Sequence, residues 1–430
     1  MRQSSLLSSP FLEPVPLDDD ADFAARAVAA LGRFVRTWRR RMIRLFATLA
    51  KRLAPWDAFV RTCMAPSVIQ VAGDKCPIVL TVQAILLRWP DTTSGLRFVT
   101  GSTVIGEIEF TGLFRKLEVD ETVPCGLDAF TTESNLSNIE RMQHRVRPGD
   151  HDEDLLRMTE EEVEQGFAGG TYTKQQVDDL FGEGEWRPLE RFIHVQGCGK
   201  LRAIDSGKAP GHNAASRERE TIFTSSVDFV PASIHAVLCH IIRTLQFMGQ
   251  LPDDFHTLPA VEQIALLPEW VQFHIGTEDM AHAYRQLPVT PAHLRFTVVA
   301  FWHCGLKCIM FIVLYGSPYG LSSVVLNFSR VPALQTAFAR RTLGCLTSYF
   351  FDDFGLIDLI CSCGSAQLGL RSQCKVGGLL LDAAKSQQMA SQRIFLGQCT
   401  DVGRVAALAE VQFNLKPGFS ADVRAFTDSL

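Results

Sequence analysis

The sequence predicts an α+β fold in which antiparallel strands pack against helices. Two apolar, aromatic-rich runs flank the turn at Asp352-Asp353, and another pair of apolar runs lies between Phe296 and Tyr315 around a polar turn. Both patterns are typical of β-hairpins. Apolar residues recur at helical spacing within residues 221–251 and again from Leu321 to Phe338. With 430 residues, 47% of them hydrophobic, the chain can bury a substantial core.

A basic segment lies near the start of a chain whose net charge is -5. Overall charge therefore does not indicate a polyanionic partner, and any nucleic-acid surface would have to be local. Residues 24–54 contain nine Arg or Lys residues and no acid, with apolar residues at helical spacing. This pattern predicts an amphipathic helix that contacts nucleic acid or an anionic membrane, serves as a nuclear address, or presents a solvated arginine face.

The cysteines and the N-terminus indicate an intracellular protein of the nucleus or cytoplasm. The twelve cysteines lack paired zinc-ligand spacing, which predicts reduced, mostly buried thiols. Residues 1–20 have no apolar signal core and include three consecutive aspartates. The apolar stretch 296–315 carries His303, Gly305 and Lys307 at its middle, so a hairpin is favoured there over a membrane span.

Three acids form a candidate metal site. Asp352 and Asp353 repel each other between aromatic residues, and a bound cation would compensate them. Taken alone, such a pair more often marks a solvated turn. Asp279 follows an apolar strand that starts near Val271, and it can reach the pair if the strands are neighbours, although, taken alone, an ordinary capping acid before a short helix is the better explanation of it. Three carboxylates without His or Cys favour Mg²⁺ or Mn²⁺.

Two further features suit a nucleotide. A hairpin around Gly197 and Gly199 would present Lys200 and Arg202 together, as a phosphate chain requires, although, taken alone, ordinary surface charge is the better explanation of them. The Gly316–Ser323 turn leads into a helix, and glycine there would let a flat ring or a phosphate approach the backbone, unless it is merely a turn.

The order of these features resembles the reverse transcriptase family, in particular the RNA-directed DNA polymerase domains of retroelements. The resemblance covers residues 186–397, roughly half of the chain. It rests on six short matches in sequence: Lys200-Leu201-Arg202 with Ile204-Asp205, Asp279-Met280-Ala281-His282-Ala283-Tyr284, Pro318-Tyr319-Gly320-Leu321, Phe350-Phe351-Asp352-Asp353, Lys385, and Phe395-Leu396-Gly397.

The resemblance implies a right-hand polymerase fold, with an antiparallel palm sheet backed by helices and a fingers subdomain before it. Only 33 residues (430 minus 397) follow Gly397, which predicts a thumb that is truncated or absent. The predicted divisions are a basic N-terminal segment with its helix (1–55), a mixed α/β region of unknown role (56–154), a fingers-like subdomain (155–255), a palm-like catalytic subdomain (256–400) and a truncated start of a thumb or a tail (401–430).

The implied activity is addition of deoxynucleotides to a primer 3′-hydroxyl on an RNA or DNA template, by two-metal-ion nucleotidyl transfer. A catalytically inactive nucleic-acid-binding remnant is the alternative, and an RNA-templated RNA polymerase is a weaker one. The implied catalytic residues are Asp279, Asp352 and Asp353. Two Mg²⁺ or Mn²⁺ ions would be held by Asp279, Met280 and Asp352, with Asp353 in support. Nucleotide binding would fall to Lys200, Arg202, Tyr284, Tyr319, Gly320 and Lys385, and the primer grip to Phe395, Leu396 and Gly397.

Overall fold

The computed structural model describes residues 6–8, 16–197 and 199–415. The chain is 46% helical and 20% strand, which confirms the α+β class. It forms two compact units. The first unit comprises Met1–Arg52, Thr224–Ala281 and Pro332–Leu430, and the second comprises Leu53–Phe223 and His282–Val331. The end of the predicted tail, after residue 415, lies outside the described residues.

The elements are numbered in chain order. The helices α1 to α13 are Asp19–Leu31, Val35–Thr62, Pro66–Ala72, Pro77–Leu87, Arg97–Thr100, Thr132–Arg145, Asp152–Glu164, Lys174–Phe181, Phe229–Phe247, Ala260–Ala265, Ser322–Leu343, Ser365–Val376 and Val405–Leu408. The strands β1 to β16 are Leu6–Ser8, Gly106–Ile108, Arg115–Lys116, Leu189–Val195, Leu201–Ser206, Ser216–Glu218, Glu220–Thr221, Phe273–Asp279, Val298–His303, Cys308–Val313, Leu346–Phe350, Asp353–Leu359, Gln387–Ala390, Gln392–Phe395, Gln398–Asp401 and Val411–Leu415.

The central sheet of the first unit is antiparallel and has the strand order β11-β12-β8-β13. The predicted hairpin around Asp352 is confirmed as β11 and β12, and β12 is buried on both of its faces from Phe354 to Leu359. Helices α1 and α9 cover this unit's core, where Val28 and Val237 pack with Ile275 and Ile357 of the sheet. The predicted helix in residues 221–251 is thereby confirmed as α9.

A second sheet of the first unit has the order β1-β16-β15-β14. Its β14–β15 hairpin turns through two residues, Leu396 and Gly397, because Phe395 pairs with Gln398. Both turn residues have positive φ, at 51° and 75°. This is the backbone of a type I′ hairpin turn, for which glycine at the second position is well suited.

The second unit contains a four-stranded sheet in the order β10-β9-β4-β5. The hairpin predicted between Phe296 and Tyr315 is confirmed as β9 and β10, and the basic hairpin as β4 and β5. Strands β4 and β9 pair in parallel and join the two hairpins. No single helix among the described residues is long and apolar enough to cross a membrane. Helices α3 and α4, whose axes are bent by 70° relative to each other, reach the length and apolar composition of a membrane span only when the two are taken together.

The basic N-terminal segment is helical, as predicted, but it is broken. Helix α1 ends at Gly32, which has φ +47°, and a short 3₁₀ turn leads into α2. Arg39 of α2 is fully buried, unlike its neighbours. It donates to the carbonyl oxygens of Leu343 (3.0 Å) and Gly344 (2.6 Å) and forms an ion pair with Asp358 of β12. A buried arginine therefore fixes α2 to the central sheet.

An acidic segment forms a helix, and one local expectation is wrong. Within residues 147–165, helix α7 begins at Asp152 with three acids in its first turn. Thr159 is buried within the helix, where its hydroxyl donates to the Leu155 carbonyl at 2.7 Å. The cysteines are not mostly buried: among the eleven described, only Cys345 and Cys374 are buried, and all eleven are free thiols.

Candidate functional site

The acids predicted to meet lie on neighbouring strands of the first unit. Asp279 is the last residue of β8 and pairs in register with Asp353, the first residue of β12. Residues directly opposite in an antiparallel pair have Cβ atoms about 4.5–5.5 Å apart on the same face of the sheet. Asp352 lies in the turn before Asp353, and its carbonyl oxygen accepts from the Met280 amide at 2.9 Å. The direct strand partner of Asp279 is thus Asp353, with Asp352 one residue away.

The turn that carries Asp352 is strained. Phe350 pairs with Asp353, so Phe351 and Asp352 alone form the loop. Phe351 has φ +54°, a conformation that bulky residues rarely adopt. Its ring packs edge-on against Phe350, with centroids 4.9 Å apart. Strain of this kind costs about 1–3 kcal/mol, and it persists where the surrounding structure fixes the backbone.

The acid cluster holds a proton more tightly than an isolated aspartate. Burial raises the pKa of Asp353 to about 7, and the nearby Asp352 and Asp279 charges, with a hydrogen bond to Asp279, contribute. Lys385 acts in the opposite direction on this pKa. Negative charge is therefore concentrated at the turn, and a cation there would be favoured.

This shift predicts a pH dependence of stability. The folded chain keeps the Asp353 proton up to about pH 7, whereas the ordinary carboxyl loses it near 3.8. The stabilisation is therefore complete below about pH 4 and is lost as the pH rises to 7. After allowance for partial exposure, we expect the free energy of unfolding without divalent ions to fall by about 2 kcal/mol between pH 5 and 8 relative to Asp353→Asn. Urea unfolding of both proteins in EDTA measures this difference, and parallel pH profiles would contradict it.

Lys385 forms an ion pair with Asp279 of the acid cluster. Its ammonium group is 2.8 Å from Asp279 Oδ1 and 3.7 Å from Asp382 Oδ2. Burial lowers the pKa of Lys385, but the hydrogen bond and charge of Asp279 outweigh this and raise it. The lysine therefore neutralises part of the cluster, and a divalent ion at Asp279 would compete with it.

The donor set at the turn suits a hard divalent cation, because it consists of carboxylate and backbone oxygens. Among the described residues, no three His, Cys, Asp or Glu side chains form a ready-made metal-binding group. The assignment of Asp279 and Asp352 with the Met280 carbonyl as metal ligands comes from the resemblance and stays a prediction. Such an ion would relieve the burial and the carboxylate repulsion that raise the pKa of Asp353.

Glu278, the neighbour of Asp279, is kept out of the acid cluster. Successive side chains of a strand point to opposite faces, so Glu278 and Asp279 diverge. Glu278 is 2% exposed, and its Oε1 accepts from Gln367 (2.6 Å), Arg371 (2.6 Å) and Ser386 (3.1 Å). This carboxylate is thus satisfied by α12 and the segment after it, on the face of the sheet opposite to Asp279.

The residues predicted as a primer grip lie in the same unit. Phe395 precedes the β14–β15 turn, and its ring packs over Gly355, two residues after Asp353 in β12. A Cβ atom at Gly355 would lie only 3.2 Å from Cε1 of Phe395 and 2.9 Å from Oγ of Ser348. A glycine in this strand therefore allows the Phe-Leu-Gly turn to approach the acidic hairpin.

The second unit brings together Tyr284 and Tyr319, two of the predicted nucleotide-binding residues. Their ring centroids are 5.4 Å apart, and Tyr284 also packs edge-on against Phe328 at 4.9 Å. The Tyr319 hydroxyl donates to the His282 carbonyl at 3.1 Å. Gly320 has φ +93°, and a Cβ there would lie 2.5 Å from the Asp205 carbonyl oxygen. The backbone that closely approaches Gly320 is therefore that of Asp205, a residue of the same chain.

A buried charge network supports these tyrosines. Asp205 accepts from Arg191 and from Arg285, each at 2.7 Å, and both arginines also pair with Glu162, at 2.8 Å and 2.9 Å. Arg285 further donates to the Ser317 carbonyl (2.7 Å), and its guanidinium lies 4.6 Å from the centroid of the Tyr319 ring. Burial alone would raise the pKa of Asp205, but the two arginines lower it. The network therefore fixes the Gly-Ser-Pro-Tyr-Gly turn on strand β5.

Lys200 and Arg202 are exposed at the start of β5 in the second unit. Their spacing of two places them on one face of the hairpin. Arg202 pairs in register with His194 and donates to Gln196 Oε1 at 3.4 Å. The predicted presentation of two neighbouring cations on a hairpin thus agrees with the fold.

Sequence reasoning did not find the buried roles of Arg39, Arg191 and Arg285. Arg39 carried a signal, because it occupies the helical position between Val35 and Ile43 on the apolar face of α2. The sequence contains no signal that Arg285 is buried, apart from its position next to Tyr284. Buried charges are retained only with partners, and these partners come from distant parts of the sequence.

Comparison with known proteins adds no family assignment. Neither a scan against protein-family models nor a search of curated proteins gives a match for this chain. Function is therefore argued from the ordered short motifs and from the geometry of the two units.

Proposed function

We propose that this chain is an RNA-directed DNA polymerase domain of the reverse transcriptase type, from a retroelement. The observation that carries the proposal is the pairing of Asp279 with Asp353 across β8 and β12, with Asp352 in the adjoining turn. Acids at the ends of adjacent strands, rather than scattered over the surface, are what a metal-dependent nucleotidyl-transfer site requires. In this proposal the sheet β11-β12-β8-β13 is the palm of a right-hand polymerase.

The chain's own residues have distinct roles in the proposal. Asp279 and Asp352, with the Met280 carbonyl, hold two Mg²⁺ or Mn²⁺ ions, and Asp353 supports them through its contact with Asp279. The ions, when bound, supply charge stabilisation for attack by the primer 3′-hydroxyl and for departure of pyrophosphate. The ammonium group of Lys385 leaves Asp279 when the ions bind and donates hydrogen bonds to the departing pyrophosphate instead.

The remaining assignments concern the nucleotide and the primer. Tyr284, five residues after Asp279, excludes a ribose 2′-hydroxyl, and Tyr319 with Gly320 lies beside the incoming base and template. Lys200 and Arg202 hold the triphosphate through charge-assisted hydrogen bonds. The turn at Phe395, Leu396 and Gly397 positions the primer end. The packing of Phe395 against Gly355 supports this last assignment.

A catalytically inactive nucleic-acid-binding remnant is the second candidate. The contact of Lys385 with Asp279 favours it, because a lysine already satisfies one oxygen that a metal ion would need. The two candidates differ in turnover rather than in fold.

The test is primer extension by the full chain on an RNA template with a DNA primer, deoxynucleotides and Mg²⁺. We expect template-directed products that disappear in EDTA and that form poorly when ribonucleotides replace deoxynucleotides. Salt-dependent binding of the RNA–DNA duplex without extension would select the inactive remnant. Preferential use of ribonucleotides would instead indicate an RNA polymerase.

A further inference from the structure

The outward face of α2 carries five exposed cations, Arg40, Arg41, Arg44, Lys51 and Arg52. At 100° per residue these side chains share one side of the helix, and Arg40 to Arg52 spans about 18 Å. Trp38 and Leu45 lie at one edge of this face and are 41% and 56% exposed. We call these seven residues the basic face.

The positive charge of the basic face is not neutralised by the acids that precede it in sequence. Asp18 pairs with Arg340 at 2.8 Å, Asp20 with Arg341 at 2.6 Å, and Asp22 with Arg26 at 3.1 Å. No acid among the described residues forms an ion pair with the five cations. A concentration of this kind in a chain of net charge -5 marks a local site for a polyanion.

The basic face is held rigidly on the first unit. Arg39, on the opposite side of α2, is anchored to Asp358 of β12 and donates to Ser365 Oγ at 3.0 Å. Phe46 packs against Phe338 with ring centroids 4.7 Å apart. The helix is therefore attached to the same strand that begins at Asp353, and its inward side is already occupied.

This packing decides between two kinds of anionic partner. A helix that lies in a membrane buries a broad apolar face in the lipid. The inward face of α2 is packed on its own unit. Between Trp38 and Arg52 the outward face has five cations to two apolar side chains, and two more exposed apolar side chains, Trp56 and Phe59, lie beyond this stretch. Phosphates in a row suit such a surface better, and an exposed Trp at its edge can stack on a base.

We propose that the basic face of α2 binds the phosphate backbone of an RNA strand. The choice of RNA rests on the proposed function, but the binding itself requires no turnover. None of the seven residues of the basic face is among the acids and nucleotide-binding residues assigned above.

The experiment measures binding of a fluorescein-labelled single-stranded RNA of about 20 nucleotides to the full chain, without nucleotides, at about 50 to 200 mM salt. The variant is R40Q/R41Q/R44Q/K51Q. The matched control removes the same charge at exposed cations elsewhere, as R88Q/K208Q/R243Q/K307Q. Because all eight side chains are exposed, unfolding midpoints should match that of the wild type.

We expect the variant to bind RNA at least about tenfold more weakly and the salt slope of log K to fall by about 3, or 0.7 for each lost phosphate contact. The control should keep the wild-type slope. Equal losses in both proteins, or no loss in the variant, would overturn the proposal. So would unchanged RNA binding together with lost binding to phosphatidylserine vesicles, which would assign the face to a membrane.

The outcome is distinguishable from failure of the polymerase proposal. If the wild type does not extend primers but binds RNA through the basic face, the inference stands and the polymerase assignment fails. If primers are extended and RNA binding does not depend on these cations, the inference alone fails.

Discussion

Replacement of Asp279 or Asp352 by asparagine should reduce primer extension by about a thousandfold or more. Asparagine keeps the size of the side chain but removes the charge that holds a divalent ion, so several kcal/mol of transition-state stabilisation are lost. The measurement is the rate of single-nucleotide addition under saturating primer–template. Asp253→Asn is the matched control, because it removes an exposed carboxylate of the same unit.

The same experiment separates the two acids of the turn. The resemblance assigns direct metal binding to Asp352, whereas the strand register pairs Asp279 with Asp353. We expect Asp353→Asn to lose less activity than Asp352→Asn. A larger loss with Asp353→Asn would exchange their roles, and normal extension by Asp279→Asn would remove the metal assignment.

Replacement of Asp205 by asparagine should lower the free energy of unfolding by about 3–5 kcal/mol. Arg191 and Arg285 would then share Glu162 alone, which leaves one positive charge buried without compensation. This is a large part of the roughly 5–15 kcal/mol that stabilises a typical domain. Urea unfolding measures the loss, and Asp150→Asn, an exposed change in the same unit, should shift stability by less than about 0.5 kcal/mol.

The double variant D205N/R285M tests whether charge balance is the cause. Loss of one cation with one anion restores neutrality, so the double variant should be more stable than the sum of the two single losses predicts. Strict additivity would show that the network is not coupled. An Asp205→Asn protein as stable as the wild type would show that the buried charges contribute nothing.

The hairpins could be predicted because their signals are local. Apolar, aromatic-rich runs on either side of a short turn define β11 and β12, and two apolar runs around a polar turn define β9 and β10. The pairing of Asp279 with Asp353 is not local, since it depends on β8 lying between β12 and β13. Only the resemblance pointed to that neighbourhood, and it named Phe395, Leu396 and Gly397 as a primer grip without predicting the two-residue turn that they form.

The burial of charges could not be predicted from the sequence. Glu278 next to Asp279 reads as a fourth acid of the site, yet its partners Gln367 and Arg371 lie 89 and 93 residues away and hold it on the other face. Arg39 lies on the apolar side of α2, which is a signal of burial, but its partner Asp358 lies 319 residues later and cannot be identified from the sequence. Such partners are defined only by the tertiary fold.

The central claim is that the acids at the β8–β12 pair form a divalent-cation site. Titration of the full chain with Mn²⁺, followed by electron paramagnetic resonance of the free ion, tests it without nucleic acid. We predict saturable binding by the wild type that is weakened at least about tenfold in D279N and D352N and unchanged in D253N, and that competes with Mg²⁺. Equal Mn²⁺ binding by the wild type and D279N would contradict the claim.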